Sequence, residues 1–140
     1  MNKGLKPLVC VFSVIKIKNS ASDMDLKKLK IDNLNRILVR NFPEKYDPVI
    51  KSVNDKVEAI LYYIDQIEDV KSFVELCDEA DLIKDNRVIM VYEKGRKDGV
   101  NRDSIFTPFK SGLYDGFKMK VPMLCSVTDK LSAFVQQKII

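Results

Sequence analysis

The chain has 140 residues, of which 46% are hydrophobic and 31% charged, a balance that suits one soluble globular domain and leaves no room for two full-sized ones. It contains no histidine, which excludes Ser-His-Asp triads, Cys-His dyads and His-ligated metals. Five Gly and five Pro are too few for a linker or a disordered protein.

The net charge of +4 conceals a segregation along the chain. Residues 1–40 hold nine Lys or Arg against three Asp, whereas residues 41–85 hold five Lys against twelve Asp or Glu. Residues 86–140 are basic again. A nucleic-acid-binding domain usually keeps a basic face without so acidic a middle, so the pattern argues against a nucleic-acid partner and for ordinary surface charge.

The three cysteines, Cys10, Cys77 and Cys125, are odd in number and far apart. They predict neither a disulfide framework nor a metal site. We expect Cys77 and Cys125 to be small buried hydrophobes, and a cytoplasmic location fits this use of cysteine.

The first residues are set apart from the rest of the chain. We expect residues 1–30 to form an N-terminal strand or extension and residues 31–140 to form a single α/β domain. The apolar run 7–15 is only nine residues long and is followed at once by Lys16 and Lys18, unlike a signal peptide. It is too short to cross a bilayer, so no membrane partner is predicted.

The β-branched run 36–41 predicts the first strand of the domain. Asp47 and Pro48 then supply an N-cap and a first-turn proline for a helix. Apolar residues follow at helical spacing, namely Val49, Ile50, Val53 and Val57. We therefore expect a helix of two or three turns after this strand.

A continuous apolar run at 58–64 predicts a strand buried on both faces of a parallel sheet. Asp65 and Glu68 match a D-x-x-E cap. The apolar stripe behind them predicts an amphipathic helix over about 67–82.

The second half of the domain begins with a turn predicted at Asp85-Asn86 and a buried strand at 87–92. Residues 94–99 form a cationic, flexible loop. Asn101 or Asp103 is expected to cap a short helix that Pro108 breaks or restarts, with Thr107 as a possible second cap. Gly112 and Gly116 end that stretch.

In the last predicted elements, the residues alternate in polarity with a period of two. Residues 117–123 predict a half-exposed edge strand containing Pro122, 126–130 a turn, and 131–136 a second strand. These two strands are expected to form an antiparallel hairpin.

Strands that alternate with helices favour parallel pairing. The predicted fold is a three-layer Rossmann-like α/β domain with a mostly parallel sheet and a C-terminal antiparallel hairpin.

Four short segments resemble an uncharacterised bacterial family of small Rossmann-like domains, similar in turn to the C-terminal half of class I methyltransferases. The resemblance covers about residues 34–138 and implies the fold but no activity. The segments are Asn41-Phe42-Pro43-Glu44, Tyr92-Glu93-Lys94-Gly95, Asn101-Arg102-Asp103 and Asp129-Lys130-Leu131-Ser132-Ala133-Phe134.

The turn after the first strand departs from true methyltransferases, which use a glycine-rich turn there to approach their cofactor. Here the turn is Phe42-Pro43-Glu44-Lys45-Tyr46, with no glycine. No cofactor is predicted.

The best candidate site is cationic and follows a central strand, at the edge where open α/β sheets bind ligands. It comprises Lys94, Arg96, Lys97 and Arg102, with Glu44 on the same rim. These residues favour a small anionic ligand, although a solvated turn explains them as well. Asp65, Glu68 and Asp69 are interpreted as helix-capping residues rather than an acid and base pair.

Two functions follow. The first is a non-catalytic binding or interaction module for a small anionic ligand or a protein partner. The alternative is an enzyme of methyltransferase-like fold with a degenerate nucleotide or S-adenosylmethionine pocket. No catalytic and no metal-binding residues are predicted, and the sequence does not give the oligomeric state.

Overall fold

The computed structural model describes residues 29, 31–112 and 123–139. The N-terminal strand or extension expected over residues 1–30 lies outside them except for residue 29, as does most of the strand predicted at 117–123. The strands are β1 (Ile37–Arg40), β2 (Val57–Tyr63), β3 (Leu82–Glu93), β4 (Met123–Ser126) and β5 (Leu131–Gln136). The helices are α1 (Asp69–Glu79) and α2 (Arg102–Lys110), and a short 3₁₀ helix spans Glu44–Tyr46.

The five strands form one mixed sheet in the order β1-β2-β3-β5-β4. β1, β2 and β3 are parallel, and β5 is antiparallel to both β3 and β4. The parallel centre and the C-terminal hairpin confirm the predicted fold class. No helix within the described ranges is long and apolar enough to cross a bilayer.

Strand β2, which lies between β1 and β3, is buried on both faces, which explains why it is apolar at every position except Glu58. Ile60 and Tyr62 pack on the face that also receives the apolar residues of α1 and α2. Ala59 and Leu61 pack on the opposite face, together with Leu29 and other residues that precede β1.

Helix α1 confirms the predicted amphipathic helix, with Val70, Phe73 and Cys77 buried. The predicted cap is wrong, because Glu68 at the N-cap makes no side-chain capping bond. The helix starts later than the D-x-x-E pattern requires. Instead, the Asp69 carboxylate accepts hydrogen bonds of 2.9 Å from the backbone N–H groups of residues 65 and 66, closing the turn in front of the helix.

The helix expected after β1 is also wrong. Residues 47–54, between the 3₁₀ helix and β2, form neither helix nor strand, and the chain at residues 52–53 runs along the outer edge of β1. Val53 donates its backbone N–H to the Ile37 carbonyl at 3.1 Å, and Val39 donates to the Ser52 hydroxyl at 2.9 Å. The unpaired backbone groups of an edge strand thus override the helical spacing. Val49 also has a φ of 57°, outside the right-handed helical region.

The predicted turn at Asp85-Asn86 is wrong as well, since β3 runs through it. While β2 advances from Val57 to Ala59, β3 advances from Leu82 to Arg87, so the additional residues bulge from the ladder. The buried Asn86 amide satisfies this irregular backbone. It donates to the carbonyl of Ile83 at 2.8 Å and accepts from the backbone N–H of residue 138 at 2.8 Å.

Helix α2 begins with the predicted cap at Asn101, which forms a reciprocal capping box with Ser104. The other two expectations for this helix are wrong. Pro108 lies within the helix, which continues for two more residues. Thr107 is not a second cap, because its hydroxyl donates back to the Asp103 carbonyl at 2.6 Å.

Candidate functional site

The loops that follow β1, β2 and β3 meet along one side of the parallel strands, which we call the carboxyl edge and define as residues 41–46, 64–68 and 94–99. Open α/β sheets bind ligands there because the loops diverge and leave a crevice. All the predicted site residues lie on or next to this edge.

Lys94 is turned towards the C-terminal hairpin. Its ammonium group donates to the Ser126 hydroxyl and, at 2.8 Å, to the Thr128 carbonyl. Its backbone N–H donates to the Lys130 carbonyl at 2.8 Å. Lys94 therefore connects the loop after β3 to the turn between β4 and β5.

Arg96 is held by carboxylates of the chain itself. Its Nε and Nη2 atoms donate to the two carboxylate oxygens of Asp98, a bidentate pair. Its Nη1 atom lies 3.9 Å from Oδ1 of Asp65. The hydrogen bond raises the pKa of Arg96 and lowers the pKa of Asp98. Asp98 thus occupies the Nε–Nη2 side of the guanidinium, whereas Nη1 is buried and has no hydrogen-bond partner among the described residues.

The remaining predicted residues are exposed and separate. Lys97 is exposed in the loop, and Glu44 is exposed on the 3₁₀ helix. Arg102 lies in the first turn of α2, where its Nε is 3.4 Å from Oδ1 of Asp103. No ion pair joins Glu44 to the four cations in the described part of the chain. The predicted residues therefore lie in three separate places: the loop after β3, the 3₁₀ helix and the first turn of α2.

A pair missed by the sequence reasoning closes the carboxyl edge over β1 and β3. The hydroxyl of Tyr46 donates to Oε2 of Glu93 at 2.5 Å. The ring of Tyr46 lies 5.8 Å from that of Tyr63, which lies 5.5 Å from Phe42. Burial, followed by the neighbouring carboxylate of Glu93, raises the pKa of both Tyr46 and Tyr63 to about 12. The sequence signal for this pair is slight, since Glu93 is merely the first polar residue after a buried run.

The turn after β1 does not fit a nucleotide-type cofactor. Asn41 has a φ of 71°, the left-handed conformation that a glycine would adopt more easily. Its side-chain amide donates to the Tyr63 carbonyl at 2.9 Å, bridging the ends of β1 and β2. Phe42 and Tyr46 pack beyond it. At this crevice the turn therefore presents side chains, where a glycine-rich turn would present a bare backbone to phosphates.

The acidic residues after β2 border a small cavity. Asp65, Glu68 and Asp98 line a space of about 360 Å³ between the loops after β2 and β3. Of the predicted acidic trio, Asp69 is engaged by backbone N–H groups, as described above, and the other two are exposed. Among the residues described, no group of His, Cys, Asp and Glu is placed to hold a metal ion.

A larger cavity, of about 560 Å³, lies between α2 and the hairpin, and we call it the α2 groove. Its lining comprises Arg102, Asp103, Phe106, Thr107, Lys110, Leu124 and Phe134. Of these, the sequence reasoning assigned only Arg102 to a candidate binding site. The spacing of Arg102, Phe106 and Lys110 by four residues marks one face of a helix, but nothing in the sequence shows that this face meets the hairpin.

Cys77 confirms the expectation of a buried cysteine. It is 1% exposed, and burial raises the pKa of its thiol, so the thiolate needed for nucleophilic chemistry is disfavoured. Cys125 is half-buried on β4.

No protein-family model and no curated protein sequence matches the chain. Among solved structures, it is similar to a fibrillarin pre-rRNA processing protein of Methanococcus jannaschii, with 15% identity, a TM-score of 0.42, and coverage of 73% of this chain and 55% of that one. It is similar to a ribosomal protein L11 methylase of Lactobacillus delbrueckii subsp. bulgaricus, with 10% identity, a TM-score of 0.44, and coverage of 86% and 68%. It is also similar to LepI in its complex with SAM, with 9% identity, a TM-score of 0.38, and coverage of 81% and 39%. The chain spans about half the length of the first of these proteins.

Proposed function

We propose that this chain is a non-catalytic binding module, built on a Rossmann-like α/β fold, that takes a small anionic ligand. The observation that carries the proposal is the closed crevice over β1. There, the hydrogen bond from Tyr46 to Glu93 and the bridge from Asn41 to β2 occupy the place of a nucleotide-type cofactor.

The charges of the predicted site indicate where an anion would bind. Lys94 and Arg96 are engaged with groups of the chain itself. Lys97 and Arg102 are exposed, and Arg102 is paired through Nε alone with the neighbouring Asp103, so its other donors can reach a ligand. Because Arg102 also lines the α2 groove, that groove combines an available cation with a cavity of ligand size.

The competing function is an enzyme of methyltransferase-like fold with an altered nucleotide or S-adenosylmethionine pocket. The observation in its favour is the cavity between the loops after β2 and β3, where the carboxylates of Asp65 and Glu68 could accept from ligand hydroxyl groups. With about 360 Å³, that cavity is at the small end of the range for ligand sites, roughly 300–1,000 Å³.

A thermal-shift series separates the two functions. The purified chain is heated with S-adenosylmethionine, S-adenosylhomocysteine, ATP or NAD, and in parallel with small organic carboxylates and inorganic phosphate. A ligand at one hundred times its Kd stabilises the folded state by about 2.7 kcal/mol, a shift of several degrees in Tm.

We expect a shift with at least one small anion and none with the S-adenosyl compounds or nucleotides. A shift of several degrees with S-adenosylmethionine, abolished by Asp65→Asn, would refute the proposal and favour the enzyme. Tyr46→Phe serves as a control, because it removes the hydrogen bond to Glu93 at the closed crevice and leaves Asp65 unchanged.

A further inference from the structure

We propose that the α2 groove binds a planar aromatic carboxylate, with the ring against Phe106 and Leu124, beside the edge of Phe134, and the carboxylate between Arg102 and Lys110. This inference rests on the proposed function, which it deepens by naming the site and the ligand class.

The two walls of the groove come from different elements. One wall is a single face of α2, on which Arg102, Phe106 and Lys110 follow one another at intervals of four residues. The other wall is a cross-strand pair of the hairpin, Leu124 of β4 opposite Phe134 of β5. The cavity is therefore bounded by regular elements, which hold its shape more firmly than loops would.

The apolar surface of the groove is flat and aromatic. The rings of Phe106 and Phe134 lie 5.5 Å apart and within 17° of parallel. Phe134 also stacks on Tyr92 at 6.0 Å, so its ring is supported from behind. Leu124 remains 43% exposed although it is a large hydrophobic residue. Phe134 itself is only 4% exposed, so a planar ring would cover Leu124 and the half-buried Phe106, and would gain at Phe106 the offset stacking that aromatic pairs prefer.

The charges of the groove favour an anion over a neutral ring. Arg102 and Lys110 lie eight residues apart on α2, one near each end of the helix, with Phe106 midway between them. Asp103 also lines the groove, but it is beside Nε of Arg102, which partly balances its charge. Arg102 retains its other guanidinium donors, so a carboxylate can form a two-point contact there.

The test uses 1-naphthoate, its neutral analogue 1-naphthamide and the non-planar anion cyclohexanecarboxylate, each titrated into the full chain by calorimetry. We expect 1-naphthoate to bind more tightly than either of the others. In the double variant Arg102→Ala/Lys110→Ala its affinity should fall about tenfold, as expected for the loss of two partly solvated ion pairs.

Two further variants complete the test. Leu124→Glu places a carboxylate on the groove wall at an exposed position, so it should abolish naphthoate binding with little change in Tm. The matched control Lys51→Ala/Lys71→Ala removes two exposed cations outside the groove and should leave the affinity unchanged.

No measurable binding of 1-naphthoate would overturn the inference, as would equal binding of 1-naphthamide or an equal loss in the control variant. These results leave the proposed function standing if another small anion binds elsewhere. Binding of S-adenosylmethionine at the carboxyl edge would instead overturn the proposed function, whatever the groove does.

Discussion

Replacing Tyr46 by Phe removes one hydroxyl from the closed crevice and nothing else. That hydroxyl donates to the Glu93 carboxylate at 2.5 Å, and Tyr46 is only 7% exposed. A hydrogen bond to a charged group contributes about 1.5–3 kcal/mol to stability, more than a bond between neutral groups. We therefore expect Tyr46→Phe to lower the free energy of unfolding by about 2 kcal/mol.

The assay is urea denaturation, followed by circular dichroism, of Tyr46→Phe, Glu93→Gln and the double variant. The two residues contact each other directly, so the double variant should lose less than the sum of the single losses, by about 1 kcal/mol. Tyr62→Phe is the matched control, because the Tyr62 hydroxyl bonds to the neutral Ser72 and its loss should cost about 1 kcal/mol. Additive losses at Tyr46 and Glu93 would refute the reasoning.

Alkaline pH gives a second measurement on the same variant. The pKa of Tyr46 is about 12 in the folded chain and close to 10 when unfolded, so the folded state holds its proton more tightly. This contribution to stability is complete below pH 10 and is lost as the pH rises towards 12. Tyr63 contributes in the same direction. The unfolding free energy of Tyr46→Phe should therefore fall less steeply over this range than that of the parent, and equal slopes would contradict the assignment.

Three further outcomes are expected. Gln136 is 2% exposed, and its amide has no hydrogen-bond partner among the described residues. We therefore expect Gln136→Leu to raise the free energy of unfolding, measured in urea, by about 1 kcal/mol. A loss of stability would mean that the amide is satisfied. Asn101→Ala removes the cap of α2 and should lower the Tm by several degrees, about 1 kcal/mol, whereas Asn101→Gly should cost only a few tenths. The carboxylate of Glu58 accepts two backbone N–H bonds, which lower its pKa, so its stabilising effect is present at neutral pH and is lost as the pH falls through the folded-state pKa. Glu58→Gln should flatten the acid side of the Tm profile, and an unchanged profile would show that other carboxylates determine it.

The elements predicted correctly are those whose pattern has one physical cause. The run 58–64 is apolar at every position except Glu58, because both faces of β2 are buried, and the stripe of α1 follows from one buried side. Asn101 was predictable as a cap because its bond to Ser104 is local in the sequence.

The errors arise where distant parts of the chain decide the outcome. Val49 and Val53 have helical spacing, yet the bonds from their segment go to β1, which helical spacing cannot show. Asn86 favours a turn in isolation, but its amide is satisfied by the carbonyl of Ile83 and by the backbone at residue 138, fifty-two residues away. In both cases, hydrogen bonds to distant parts of the chain override the local conformational preference of the residues.

The position of the candidate residues along the sheet could be predicted from the sequence, but their partners could not. The carboxyl edge follows from the parallel strands, and Lys94 and Arg96 lie beside it as expected. Their partners Thr128 and Asp98 depend on how side chains turn within the loops. Likewise, the contact of Phe106 with Phe134 joins two elements whose packing the sequence does not reveal.

The strip of chain at residues 52–53 that shields the outer flank of β1 has a consequence for self-association. The Ile37 carbonyl accepts from Val53, and the Val39 N–H donates to Ser52. A strand of another molecule would need these same backbone groups to pair with β1. Lateral recruitment of another molecule, the first step in runaway β-aggregation, is therefore obstructed on this flank. Ser52→Ala would leave the Val39 N–H unpaired at this edge, and we expect the variant to lose solubility on prolonged storage.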